Sequence, residues 1–241
     1  TGGGVDYSTP PTFSNGVTLV GSDLIIPAGV ASFTITVPTI NDTMDEVNEN
    51  YTLSVGGVSN SGTITDNDNA PTISINDVTV NEAAGVATFT VSLSTASGLP
   101  ISVDYNTSSL SAVLGSDFTA TSGTLSFAPG VTTQTITVYI LNESGTPVYE
   151  GAESFRVNLS NPTNATIADN LGIGTIMDNG TGSGGTENDT PSFSISNVSV
   201  ADMSAGFANF IVSLSNPTTV ATAFNLALTN GAATGGGVDY G

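Results

Sequence analysis

The chain has 241 residues, of which one is basic (Arg156) and 21 are acidic, for a formal net charge of −20; it contains no His and no Cys. That balance excludes charge-driven binding to nucleic acid or to an anionic membrane, both of which need a basic face. The missing residue types exclude thiolate chemistry, disulfides and the usual zinc sites. What is left is an affinity for cations, or acidity that serves only to keep the surface soluble in salt.

No apolar run approaches the ~20 residues of a membrane span, so membrane insertion by this segment is not expected. No basic-then-apolar signal opens the chain, which reads as a mature or internal piece of a longer protein. Val, Ile and Thr favour strands. Punctuation by 28 Gly and 11 Pro, with no helical stripe, predicts an all-β chain.

One phrase marks a period. Gly4-Val5-Asp6-Tyr7 returns as Gly115-Ser116-Asp117-Phe118 and as Gly237-Val238-Asp239-Tyr240. The first and last copies lie within the same longer string, Thr-Gly-Gly-Gly-Val-Asp-Tyr, beginning at Thr1 and at Thr234.

In chain order, the first segment (1–69) contains Leu24-Ile25-Ile26-Pro27-Ala28-Gly29, then alternating Phe33, Ile35 and Val37, then Asn50-Tyr51-Thr52-Leu53, then Gly62-Thr63-Ile64-Thr65-Asp66. These parallel the second half of the next segment: Leu125 to Gly130, Ser154 to Val157, and Gly174-Thr175-Ile176-Met177-Asp178. Asp66 to Pro71 reads as a short, stiff joint.

The middle segment (70–179) alternates at Thr72 to Ile75, Val86 to Leu93, Ile101 to Tyr105, Thr124 to Phe127, Thr135 to Ile140, Phe155 to Leu159 and Gly172 to Ile176. About seven short strands separated by turn signals predict a Greek-key β-sandwich of about 100 residues. A Gly/Ser-rich stretch (180–189) reads as a flexible linker. In the last segment (190–241), Pro191 to Ile195 and Phe207 to Leu214 repeat the opening strands of the middle segment. The chain thus reads as half a repeat, a whole repeat and half a repeat: tandem Ig-like sandwiches without substantial helix.

Carboxylates are sparse and recur at matching places. Those at matching places in the middle repeat include Glu82, Asp117, Glu143, Glu150, Glu153 and Asp178; in the first segment, Asp6, Asp42, Asp45, Glu46, Glu49, Asp66 and Asp68. In a sandwich these positions fall at strand ends and can meet at one pole. Five or six carboxylates there, with no cation nearby, repel one another, and a hard cation with oxygen ligands resolves that. Calcium fits best, since it accepts six to eight oxygens in loose geometry. The competing expectation is that these are solvated loop residues and turn caps.

Several stretches together carry a family resemblance. Gly115-Ser116-Asp117-Phe118, Ser122 to Gly130, Tyr149 to Pro162 and Gly174 to Asn179 resemble a Calx-beta repeat, and Gly62 to Asp68 resembles that family's closing motif more fully. The resemblance covers nearly the whole chain. It implies a seven-stranded sandwich that often binds calcium in its distal loops, as in sodium–calcium exchangers, integrin β4 and long extracellular proteins of bacteria. It implies calcium ligands at Glu82, Asp117, Glu143, Glu150, Glu153 and Asp178. In the flanking unit it implies Asp6, Asp42, Glu46, Glu49, Asp66 and Asp68, with Asp239 as the repeat of Asp6.

This sequence departs from the pattern at Asn142, at Asp178-Asn179-Gly180, and at Asp202-Met203 where Glu82 would align. Fewer or weaker ions are therefore expected than in acid-rich members.

Three functions compete. An enzyme acting on glycans would have to use a carboxylate pair such as Glu150 and Glu153, because no His or Lys exists to activate a Ser. A calcium-regulated module that binds a ligand or a cell is the second. The third, favoured by the period and by the absence of Trp, is a structural segment of an extracellular, bacterial surface adhesin stalk or fibre stiffened by calcium. Its expected partners are copies of itself or neighbouring repeats, joined head to tail through the open half-repeats, and cell-surface or matrix components.

Overall fold

The computed structural model describes residues 6–142, 148–178, 190–200, 207–230 and 232–233. Its strands run β1 (Thr12–Phe13), β2 (Thr18–Val20), β3 (Asp23–Ile25), β4 (Ile35–Thr36), β5 (Glu49–Val55), β6 (Val58–Ile64), β7 (Thr72–Ile75), β8 (Val78–Asn81), β9 (Val86–Leu93), β10 (Ile101–Ser109), β11 (Ser122–Phe127), β12 (Thr133–Tyr139), β13 (Ala152–Thr163), β14 (Thr166–Ile167), β15 (Leu171–Met177), β16 (Phe193–Ile195) and β17 (Val212–Leu214). The only helical turn among the described residues is the 3-10 turn Glu82–Ala84. The all-β expectation holds.

Strands β7 to β15 form a two-layer sandwich. One sheet has the order β11-β10-β13-β15-β8 and the other β12-β9-β7-β14. Period-2 alternation makes the core: on β9, Ala87, Phe89, Val91 and Leu93 are buried while Val86 and Thr88 are exposed. Phe89, Phe118, Phe127 and Phe155 are fully buried and anchor the interior. Each contributes about 1.5–3 kcal/mol by leaving water.

Phe155 stacks on Phe118 at 4.6 Å and meets Phe89 edge-on at 5.9 Å. The ring lies across Gly174, its cross-strand partner on β15; a Cβ there would sit 2.3 Å from the ring. Only glycine leaves room for the phenylalanine.

Two strands are not among the seven expected: the short β14, parallel to β7, and β8, parallel to β15. The first strand breaks at Asn76-Asp77 and changes sheets. β7 pairs antiparallel with β9, and β8 then pairs parallel with β15. The break leaves two amides without ladder partners, and side chains supply them. Asn76 Oδ1 accepts from Thr90 N at 2.5 Å, and Asp77 Oδ1 accepts from Ile173 N at 2.7 Å.

The flanking segments hold fewer strands. β5 and β6 pair from Glu49↔Ile64 to Val55↔Val58, and Tyr51 lies across Gly62 as Phe155 lies across Gly174. Alternation at Phe33, Ile35 and Val37 yields only the short β4, paired with β1. β16 and β17 pair in the register of β7 and β9, with Phe193 opposite Leu214 as Ile73 is opposite Leu93. Every residue of β16 and β17 is exposed, because no second sheet covers them among the described residues.

Candidate metal centre

The acidic pole of the sandwich follows from strand directions. β8 and β15 run parallel with Asn81 beside Met177, so the residues that follow, Glu82 and Asp178, emerge side by side. Asn81 Oδ1 caps the 3-10 turn by accepting from Ala83 N at 3.0 Å, and Gly85 closes it at φ 71°. Glu82 and Asp178 are both buried. Asp178 Oδ2 accepts from Glu150 N at 2.5 Å, tying the end of β15 to the loop entering β13.

Glu153 lies two positions before Phe155 on β13 and so shares its inward face. It is the first inward position past the apolar core. Asp117 reaches it through its neighbour in the repeated phrase: Phe118 stacks on Phe155, which sets Asp117 against Glu153. The loop is held locally. Asp117 Oδ2 accepts from Val113 N at 2.5 Å, and Asp117 O accepts from Leu141 N at 2.9 Å.

The result is a tight group. Carboxylate oxygens of Asp117, Glu150 and Glu153 lie within 4.8 Å of one another. Glu82 and Asp178 line the same gap, of about 10 Å³. That is on the order of the ~10–15 Å³ that one water requires. Two charges at that limiting separation repel by about 3–4 kcal/mol at an effective dielectric near 20. Three such pairs rival the ~5–15 kcal/mol that holds a whole domain folded.

Burial first, then the hydrogen bond to Asp117 and the charges of Asp117, Glu150 and Glu82, push the Glu153 carboxyl up to about 7. All its charged neighbours there are negative. A proton on Glu153 or a cation in the gap relieves that repulsion. The donors are all oxygen, which fits a hard divalent ion, and the irregular set of loop and strand-end carboxylates suits calcium over octahedral magnesium.

The first segment builds the same arrangement with different closure. Tyr7 packs on Tyr51 at 5.4 Å, as Phe118 packs on Phe155. Asp6 O accepts from Ile40 N at 2.9 Å, as Asp117 O accepts from Leu141 N. Asp6 is hydrogen-bonded to Glu49, and this bond is the main cause of its raised pKa. Asp6, Asp42, Glu46, Glu49, Asp66 and Asp68 all line one cleft of about 350 Å³. Burial and then the charges of Asp42, Asp6, Glu49 and Asp66 hold Glu46 above the usual carboxylate range. The cleft rim is pinned by Asn48 Oδ1 accepting from Asp66 N and by Asn67 Nδ2 donating to Asn41 Oδ1, each at 2.9 Å.

Of the thirteen residues expected from the sequence, five thus meet in the middle gap and six in the first cleft. Glu143 and Asp239 lie outside the described residues, as do Asp202 and the 180–189 stretch. Arg156, the sole cation, is exposed on β13. Sequence reading missed the work of the phrase's aromatic, and it missed β8. Its available signals were the Phe or Tyr after each Asp, and the alternation Val78-Thr79-Val80 resuming after Asn76-Asp77.

The family model for the Calx-beta domain matches residues 18–77 and 66–179. Over 58 residues the chain is 45% identical to Extracellular matrix protein 3 of Lytechinus variegatus, covering 24% of this chain and 2% of that protein. Over 113 residues it is 34% identical to FRAS1-related extracellular matrix protein 2 of Homo sapiens, covering 44% of this chain and 4% of that protein. The chain therefore spans a few hundredths of the length of these relatives.

Solved structures similar to it include two Calx domain structures. The crystal structure of CBD12 from CALX1.2 is 27% identical with a TM-score of 0.42, covering 45% of this chain and 44% of that one. The crystal structure of the apo-form Calx CBD1 domain is 27% identical with a TM-score of 0.38, covering 44% of this chain and 96% of that one.

Proposed function

The chain belongs to the Calx-beta family, and on that premise we propose that it is an extracellular tandem-repeat segment, a structural module of a surface stalk or fibre whose repeats are stiffened by calcium. The observation that carries this reading is the middle acidic gap: five carboxylates converge there, three of them within 4.8 Å of one another. Asp117, Glu150 and Glu153 would hold the ion, with Glu82 and Asp178 beside them. When bound, calcium supplies the positive charge that the pole lacks. The protein's own part is to aim oxygens inward from β8, β13, β15 and the Asp117 loop. Ligation then ties four chain segments together at one end of the sandwich.

Relatives named as extracellular matrix proteins support an extracellular setting. Those two come from animals, so they give no support to the bacterial origin expected from the sequence. Matrix or cell-surface components remain the partners we propose.

The exposed apolar rows of β16 and β17, with Phe207 and Leu226 about nine-tenths exposed beyond them, suit a covering sheet. We assign that cover to the second half of a neighbouring repeat, the kind of sequence found in 6–69.

Thermal unfolding of the purified chain in calcium and in chelator tests the central claim. An affinity of ~10⁻⁴ M, typical of extracellular modules, gives about 1.4 kcal/mol at millimolar calcium. That is a rise of roughly 6–11 °C for a domain of this size. An unchanged melting temperature removes calcium from the mechanism.

A further inference from the structure

The two joints between repeats are built alike. At the first, Asp45 forms a parallel bridge with Ser97. Asp45 O accepts from Gly98 N at 3.0 Å and from Ser97 Oγ at 3.2 Å. At the second, Tyr149 forms a parallel bridge with Thr218. Tyr149 O accepts from Thr219 N, and Tyr149 N donates to Pro217 O, each at 3.0 Å.

These are equivalent positions in successive repeats. Asp45 precedes Glu46 and Tyr149 precedes Glu150, in the loops entering β5 and β13. Ser97 follows Leu93 at the spacing by which Thr218 follows Leu214, in the loops leaving β9 and β17. The carbonyl of 45 meets the amide of 98 just as the carbonyl of 149 meets the amide of 219.

Side chains differ at every one of these positions: Asp against Tyr, Ser against Thr, Gly against Thr. The peptide groups alone repeat. Side chains then pack over each contact. A Cβ on Gly98 would sit 2.9 Å from Glu46 Cγ and Oε1, and Val220 lies 3.6 Å from where a Cβ on Gly151 would be. Ser97, 2% exposed, is held from its own side by Gly130 N donating to its carbonyl at 2.9 Å.

We propose that this backbone bridge is the docking surface by which each repeat receives the next, and that the partner it fits is the loop after the second strand of a following repeat of the same kind. The contact acts as a register clamp. Two sandwiches joined only by a tether reorient freely, whereas a paired peptide group fixes their relative rotation. Because the pairing uses main chain, it tolerates side-chain change from one repeat to the next and suits a long tandem array. It also seats Glu46 against Gly98 of the following repeat. The clamp rests on reading the chain as a tandem module but not on calcium.

The absence of native Cys permits clean spin labelling. Labels at V58C and Y139C report on the first joint, and labels at Y139C and L228C on the second; all three sites are exposed. Distance distributions are measured by pulsed dipolar spectroscopy in calcium and in chelator. Gly98→Pro removes one donor and Thr219→Pro the other. Each is expected to broaden the distribution at its own joint about twofold and to leave the other joint unchanged.

Thr219→Val keeps the amide and should keep the wild-type width. Melting of the sandwich at its wild-type temperature certifies that the variants are folded. A width unaltered by both proline substitutions, or one substitution broadening both joints together, overturns the clamp. Widths insensitive to calcium in every variant would count against ion stiffening while leaving the clamp intact.

Discussion

The two acidic poles use the same residues differently. In the middle repeat, five carboxylates enclose a gap of about 10 Å³, and Glu82 and Asp178 are buried. In the first segment, six carboxylates line a cleft of about 350 Å³, with Asp42 exposed. An aromatic contact and the Asp–Glu hydrogen bond are present in both, the rings stacked in the middle repeat and tilted in the first segment. What differs is closure. β8 brings Glu82 alongside Asp178, and the first segment has no such strand among its described residues. In the middle repeat β8 is the strand that shuts the end of the sandwich and sets Glu82 beside Asp178. The tight gap raises the price of ionisation and so the gain from a cation.

The largest break in this comparison should come from Phe155→Ala. It removes a fully buried ring that touches Phe89 and Phe118. Loss of about 3–5 kcal/mol is expected in urea unfolding. Tyr51→Ala, at the half-buried equivalent, should cost about 1 kcal/mol in the first segment and leave the sandwich transition where it was. Equal losses from both would mean that the first segment holds a core like the middle one.

Next in size is Glu153→Gln. At pH 8 it should raise the melting temperature of the ion-free protein by relieving repulsion, and it should erase most of the ~1.4 kcal/mol gained from millimolar calcium. Glu49→Gln should leave the calcium response of the sandwich intact, as a titration followed by differential scanning calorimetry would show.

A pH series gives the sign. The folded pKa of Glu153, about 7, lies above its ordinary 4.5. The protonated carboxyl's contribution is thus fully present below pH 4.5 and is lost as pH rises through about 7. Ion-free protein should melt progressively lower across that window. Calcium flattens that decline, because the ion must displace the proton; the calcium-induced rise should grow as pH climbs through about 7. A flat profile in chelator would show that the gap is open to water.

The smallest effect is the most telling. Asp77→Ala orphans Ile173 N at the sheet switch and should cost about 1 kcal/mol. With β8 loosened, Glu82 should draw back and the middle site should weaken for calcium, approaching the first cleft in character. Isothermal titration would detect the weaker binding; unaltered affinity would mean that β8 does not set the closure.

Much of the fold could be read from residue order. Alternation at Val86 to Leu93 or Thr135 to Ile140 specifies one buried face whatever the partner strand is, because side chains of a strand point to opposite sides in turn. The recurrence of Gly-x-Asp-aromatic identified equivalent acids in two repeats. β8 escaped notice because Asn76-Asp77 resembles a strand end. Only the neighbouring β9 and β15 reveal that the chain continues in the other sheet. Short β4 shows the opposite failure: alternation at Phe33, Ile35 and Val37 yields only the two-residue strand paired with β1.

By itself, then, the sequence determined the class of structure, the period, and the inventory of carboxylates without a counter-cation. Those are properties of composition and local pattern. Tertiary structure alone decided which acids touch and how closely. Phe118 had to stack on Phe155 before Asp117 could meet Glu153, and parallel pairing of β8 with β15 had to set Glu82 beside Asp178. It also decided that one repeat's loop meets the next through main-chain groups at Asp45 and Tyr149. Peptide groups are the same at every position, so no residue type in the sequence announces which of them will pair.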